Sequence, residues 1–265
     1  MATPKNLALF VTCGTQFGIP FDERPSTCRM CNEPRQFVPP SGQSWTALEK
    51  LQANHRNEFK QDEHDGRIWS IFSKPQIAIG QRAVFIKTEH GNVLWDCISL
   101  SDDETIQFVN SHGAKKFDCP VYLVAEDQEW LNREDTEHRR VFFDGETQDI
   151  LPGVTMVKLG GHFPGSSVLH WNNNISGLNR AHHNENHQIF LFHYAFPNFI
   201  PLGPTAMRLM WKRLRPWDFT SVYSLFFTTT VHESSVKEII LESMKRQAMH
   251  QKNDAHPLMQ EQIEA

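Results

Sequence analysis

Apolar and polar positions alternate along the chain in two rhythms. A two-residue rhythm marks strands. Residues 81–88 are apolar and β-rich, Glu89-His90-Gly91-Asn92 is turn-like, and Val93-Leu94-Trp95-Asp96-Cys97 returns, which predicts a hairpin. A strand is expected just before it at 77–79, and others at 119–124, 189–192 and 221–227. The run 154–159 breaks at Gly160 and Gly161 and restarts at 168–171 after Pro164-Gly165-Ser166-Ser167, so it reads as strand, tight loop, strand.

The second rhythm is helical. Met207, Met210, Trp211 and Leu214 follow Pro204 at i, i+3, i+4 and i+7, one buried face of a helix. Capping boxes start three more helices. Thr46-Ala47-Leu48-Glu49 precedes Leu51, Ser101-Asp102-Asp103-Glu104 opens a helix to about 110 with Ile106 and Val109 inward, and Ser235-Val236-Lys237-Glu238 opens the last with Ile239, Ile240 and Met244 inward. A short helix is expected at 127–131. Residues 54–66, 133–149 and 172–188 are polar without period and read as loops, and the polar end from 249 reads as frayed.

Composition narrows the class. At 265 residues the chain can form one large domain or two small ones, and 39% hydrophobic residues with 19 Phe and 7 Trp supply a core. Lys plus Arg is 26 against 31 Asp plus Glu, a net charge of −5, which argues against a nucleic-acid partner. No apolar run approaches the ~18 residues of a spanning helix, and 6–11 is too short for a signal peptide. Five cysteines are an odd number, too sparse for a disulfide scaffold. The expectation is a soluble cytoplasmic protein in a reducing setting, with no membrane partner.

Three places carry candidate chemistry. Cys28-Arg29-Met30-Cys31 follows the separate Cys13, and thiolates so spaced can share a zinc ion as a knuckle. No histidine precedes His55 to complete four ligands, so three reduced cysteines in a Pro-rich loop region are the alternative. Asp96 closes an apolar strand, either capping backbone amides or facing a site. His162, on the glycine loop, is a metal ligand, a proton-transfer group or a backbone-bonded loop histidine. His183 and His187 have chelating spacing, with a solvated loop as the alternative.

The loop Gly160-Gly161-His162-Phe163-Pro164-Gly165-Ser166 and the strand end Val93-Leu94-Trp95-Asp96 together resemble the metallo-β-lactamase superfamily. The chain is most similar to a largely fungal subset that shares Cys13-Gly14-Thr15-Gln16, the phrase from Arg35 to Gln43, Ala78-Ile79-Gly80-Gln81-Arg82-Ala83 and Asn198-Phe199-Ile200-Pro201-Leu202. The resemblance implies an α+β fold: an αβ/βα sandwich of two mixed sheets with outer helices, here incomplete. It places that domain at 46–248, with a cysteine-containing segment at 1–45 packed on it and a polar tail at 249–265. It implies a zinc-dependent hydrolase acting on a small molecule. Asp96 matches the strand-end aspartate that supports the site. His162 matches a direct zinc ligand, and His232 in Thr230-Val231-His232-Glu233 falls near the last ligand position.

The departures from that family are as informative. The strand ending in His-x-His, expected between 110 and 119, is absent, and Asn110-Ser111-His112-Gly113 runs on instead. The bridging aspartate after Trp171 is replaced by 172–176, with Glu185 the nearest carboxylate. Phe10 stands where the family tends to carry another cysteine. A hydrolytic zinc site needs three or more protein ligands and an open position to bring bound water to a pKa near ~7. The expectation is therefore a metallo-β-lactamase-like hydrolase by descent that lacks a competent dinuclear centre. A non-catalytic pseudoenzyme or zinc-knuckle binding module is the alternative.

Overall fold

The structure is a computed structural model that describes residues 6–113, 119–172, 190–195, 198–227 and 230–263. It is an α+β fold of antiparallel sheets and few helices. The chain divides into two compact units: residues 1–121, 130–141 and 223–229 in the first, and 122–129, 142–222 and 230–265 in the second.

The first unit begins with β1 (Leu7–Phe10), β2 (Gln16–Pro20) and β3 (Trp45–Ala47), ordered β2-β1-β3. Here the sequence expectation needs correcting. Thr46 does not cap a helix; it lies in β3 opposite Leu9. The short α1 (Leu48–Gln52) starts after Ala47 with no side-chain cap. Pairing with β1 takes the backbone that the cap would have used, while Leu48 and Leu51 are buried as expected.

A four-stranded antiparallel sheet follows: β4 (Arg56–Gln61), β5 (Ile68–Lys74), β6 (Arg82–Thr88) and β7 (Gly91–Trp95), in sequence order. The β6–β7 hairpin is the predicted one, with Val84 opposite Trp95 and Thr88 opposite Gly91. β4 replaces an expected loop. Its polar side chains suit an edge strand, while inward Asn57 bonds Leu100 O at 2.6 Å and Thr105 Oγ1 at 2.7 Å, and accepts from Ser73 at 2.7 Å. Residues 77–79 form a turn, not a strand, with Ala78 and Gly80 at positive φ. α2 (Asp103–Ser111) is capped by Asp102, which accepts from Thr105 N. Its C-cap, His112, is packed among Trp69, Phe85 and Phe108. β8 (Val121–Val124) and β9 (Arg140–Phe143) form a two-stranded sheet, the latter within a stretch expected to be irregular.

The second unit holds β10 (Thr147–Leu151), β11 (Val154–Lys158) and β12 (Ser167–Trp171) as an antiparallel meander. The β11–loop–β12 arrangement is the predicted one. β13 (His193–Ala195) pairs with β14 (Ile200–Pro201), later than the strand expected at 189–192, and β15 (Ser221–Tyr223) pairs with β16 (Thr230–His232). α3 (Pro204–Leu214) and α4 (Val236–His250) enclose the main core, with Met207, Trp211, Val236, Ile240, Leu241 and Met244 buried. Gln247 ties that core down. It donates to Phe192 O at 2.8 Å and Leu202 O at 3.0 Å and accepts from Phe192 N at 3.1 Å.

The chain end is a further correction. Pro257–Gln260 forms a 3-10 turn with Leu258 at 0% exposure, and Glu261 accepts from Arg208 Nε at 2.7 Å. It is docked by the apolar anchor Leu258 and by Glu261, which also pairs with Arg215 at 3.6 Å, and is not frayed. Among the described residues no helix is long and apolar enough to cross a membrane.

Candidate metal centre

In the first unit, β1 and β2 are joined by a tight turn. Phe10 N donates to Thr15 O at 3.0 Å and Gly14 N to Phe10 O at 2.8 Å, with Gly14 at φ +74. A Cβ at Gly14 would lie 1.9 Å from Ser99 Oγ, so only glycine fits. The turn holds Cys13 against Cys28 and Cys31, and the three sulfurs lie within 4.8 Å of one another. Cys13 Sγ and Cys28 Sγ are 3.8 Å apart, the span expected of two thiolates on one ion with bonds of ~2.3 Å. These side chains can hold a metal ion.

The cluster has its own scaffold. Cys28 N donates to Gln43 Oε1 at 2.6 Å, Gln43 Nε2 to Asn32 Oδ1 at 2.6 Å, and Asn32 Nδ2 to Thr27 Oγ1 at 2.9 Å. Asn32 N closes the loop on Cys28 O at 2.9 Å. Cys28 and Cys31 are 0% and 5% exposed, and Cys13 is half-buried. Thiol hydrogen bonds from Cys28 and Cys31 lower the Cys13 pKa to about 3, outweighing its desolvation. The pKa values of Cys28 and Cys31 are raised, first by the hydrogen bonds they give to Cys13 and then by burial and its charge.

Asp96 sits just past β7 at φ +66, a left-handed conformation that Asp tolerates better than most residues. Its Oδ1 accepts from Cys97 N at 2.8 Å. Solvent reaches Asp96 and Cys97, yet surrounding protein crowds both. Desolvation raises the Asp96 pKa, and desolvation with the Asp96 charge pushes Cys97 up to about 12. The capping role and a crowded carboxylate thus coexist at this position.

In the second unit, Gly160 and Gly161 take φ +76 and +96. Leu159 N and Gly160 N both donate to Ser166 O at 2.9 Å, and Phe163 N donates to Ser166 Oγ at 2.8 Å. The loop presents His162, whose Nδ1 lies 2.7 Å from Tyr194 O. A carbonyl can only accept, so Nδ1 carries a proton. Asp127 Oδ1 accepts from Gly165 N at 2.9 Å, and desolvation raises its pKa. Desolvation, then the charge of His162, lowers the pKa of His193. No group of three ligand-type side chains includes His162 among the described residues. His232 Nδ1 lies 3.0 Å from Ser221 Oγ. His182, His183, Glu185 and His187 lie outside the described residues.

Sequence reasoning found the three cysteines but missed Gln43, Asn32 and Thr27, which brace them, and Asp127, which braces the His162 loop. Amide–backbone bonds across such separations leave no periodic trace in a sequence.

The first unit is thus an α+β body carrying three clustered cysteines that can hold a metal ion. The chain is 32% identical, over 265 aligned positions covering 90% of this chain and 93% of that protein, to the uncharacterized protein YmaE of Bacillus subtilis (strain 168). The chain belongs to the same family as YmaE. No family model matches the chain, and no solved structure matches it.

Proposed function

We propose that this protein descends from metallo-β-lactamase-like hydrolases, has lost a competent dinuclear centre, and retains zinc binding at Cys13, Cys28 and Cys31. Several features support the descent. Each unit combines sheets with helices, the α+β composition such a descent calls for. Asp96 ends its strand in a left-handed turn, and His162 is oriented by a carbonyl on a two-glycine loop, as a zinc ligand would be.

One observation favours the thiolate reading. Within either unit taken alone, the three-ligand group among the described residues is the cysteine cluster, and His162 belongs to none. The missing His-x-His strand leaves the sequence without the usual ligands. Thiolate zinc without the histidine centre makes the chain a binding module on a hydrolase frame, with no turnover of a small-molecule substrate.

Zinc content of the purified chain tests this reading. Near one equivalent is expected, lost in Cys28→Ser and retained in His162→Ala. Near two equivalents, falling with His162→Ala, would restore the hydrolase.

A further inference from the structure

We infer that the three-cysteine pocket is built for a trivalent, three-coordinate thiophilic ion of the arsenite type in preference to a tetrahedral divalent one. The inference rests on the proposed use of these cysteines as thiolate ligands and concerns which ion they select.

Donor number is the first argument. Three sulfurs converge, and among the described residues no fourth Cys, His, Asp or Glu side chain joins them. Zinc prefers four ligands in a closed site and would need a water or another exogenous group here. The second argument is the wall. Cys28 and Cys31 share a buried cluster with Ala8, Phe10 and Phe17, and Met30, Val38 and Trp45 pack against it. Phe10 is 0% exposed and stacks edge-on to Trp45 at 5.0 Å. Its ring offers no ligand, and the polar group of this wall is the buried Trp45 Nε1–H, a donor and not a ligand.

Charge is the third argument, and it separates the ions most sharply. Three thiolates around a divalent ion leave one net negative charge, which the largely apolar wall disfavours, the Thr15 hydroxyl at 3.2 Å from Cys13 Sγ being the near polar contact. Three thiolates around a trivalent ion are neutral. The chemistry balances without an oxidant: three As–S bonds form, three As–O bonds of arsenous acid break, and the three hydroxides leave as water, taking the protons of the thiols and, for a sulfur already ionised, one from solvent. Arsenic remains trivalent throughout. Half-buried Cys13 gives the reagent its entry, and the Gln43–Asn32–Thr27 brace holds the other two sulfurs ready.

The test is a competition on the full, reduced, metal-free chain, with zinc set by a chromophoric chelator, arsenite as rival, and Trp45 fluorescence as a second readout. Arsenite should bind at one per chain, displace equimolar zinc, and be lost in Cys28→Ser. Phe10→Cys, which supplies a fourth thiolate at the wall, should move the preference toward zinc by about tenfold or more. Should Phe10→Cys not fold, the wild-type competition still decides. Zinc that arsenite cannot displace, yet that leaves with Cys28→Ser, overturns the selectivity and keeps the thiolate site. Failure of both ions to bind in a Cys28-dependent way overturns the thiolate site itself.

Discussion

Gln43 accepts the backbone N–H of Cys28 at 2.6 Å, fifteen residues away in sequence, and through its own amide N–H it engages Asn32 at 2.6 Å. One side chain thereby fixes both ends of the loop that carries two of the three cysteines. Gln43→Ala leaves a buried N–H without its acceptor, at a cost of about 1–3 kcal/mol. It should also weaken metal affinity about 10–100-fold, as loss of such supporting contacts does elsewhere. Thermal melts of the metal-free chain and chelator competition would separate the two effects. Unchanged metal affinity would show that the cysteines need no bracing.

Asp96 gives a pH-dependent prediction. Desolvation raises its pKa in the folded chain, so folding favours the neutral carboxyl. Its contribution is fully present below the ordinary carboxylate value of ~3.9 and is lost as pH rises through the raised folded value. Asn cannot ionise, tolerates positive φ, and can still accept from Cys97 N. Metal-free Asp96→Asn should therefore melt higher than wild type at pH 7, and the gap should close on acidification. A lower melting temperature at pH 7 would mean that the carboxylate meets a stabilising cation the folded chain supplies.

The β6–β7 hairpin, β11, the glycine loop, β12 and α3 were legible because local pattern and tertiary burial agree there. Val93, Val154 and Met207 sit in the core where period alone places them. β4 was not legible, because an edge strand can stay polar outside while its one buried polar side chain, Asn57, is satisfied by residues 43 and 48 positions away. The strand at Thr46 and the docked end at Leu258 failed for a related reason: a long-range partner outweighed a local signal. The cysteine triad was visible as spacing. The apolar wall that shapes it was not, since Phe10, Phe17 and Trp45 meet only after β1, β2 and β3 pair.

Gly165 illustrates a steric rather than conformational need for glycine. A Cβ there would fall 2.6 Å from Asp127 Oδ2 and 2.7 Å from Val124 Cβ. Gly165→Ala must push Asp127 off the Gly165 N–H or displace β8, an overpacking cost of about 1–3 kcal/mol. Combining it with Asp127→Ala should recover part of that loss, although the valine contact persists. Additive effects in the double mutant would mean that the two residues do not press on one another.

Arg82 is a buried cation that feels the charge of Asp62. At 1% exposure it donates to Ser224 O and Ser70 Oγ at 2.9 Å each and lies 5.8 Å from the rings of Tyr223 and Phe227. Burial lowers its pKa, but a guanidinium remains charged across the physiological range. Arg82→Met keeps the bulk and removes the donors, so a loss of about 1–3 kcal/mol is expected. The loss should be flat between pH 6 and 8, roughly the range where no arginine titrates. A pH-dependent loss would point to a titrating partner of the guanidinium.

Leu258 anchors the chain end to α3 and α4. It is fully buried in a cluster with Met207, Trp211, Ile240 and Met244, beyond the point at which the sequence turns polar. If the segment were frayed, Leu258→Ala would change nothing measurable. If it is docked, the substitution removes buried methyl groups and leaves a cavity beside Trp211, costing about 2–5 kcal/mol. Glu261→Gln provides the contrast, since it weakens the pairs of this carboxylate with the partly exposed Arg208 and Arg215 and keeps the apolar anchor, and pairs whose cations reach solvent contribute about 1 kcal/mol. Denaturant melts that rank Leu258→Ala far below Glu261→Gln would establish the apolar anchor as the dominant contact, and equal ranking would assign the docking to charge.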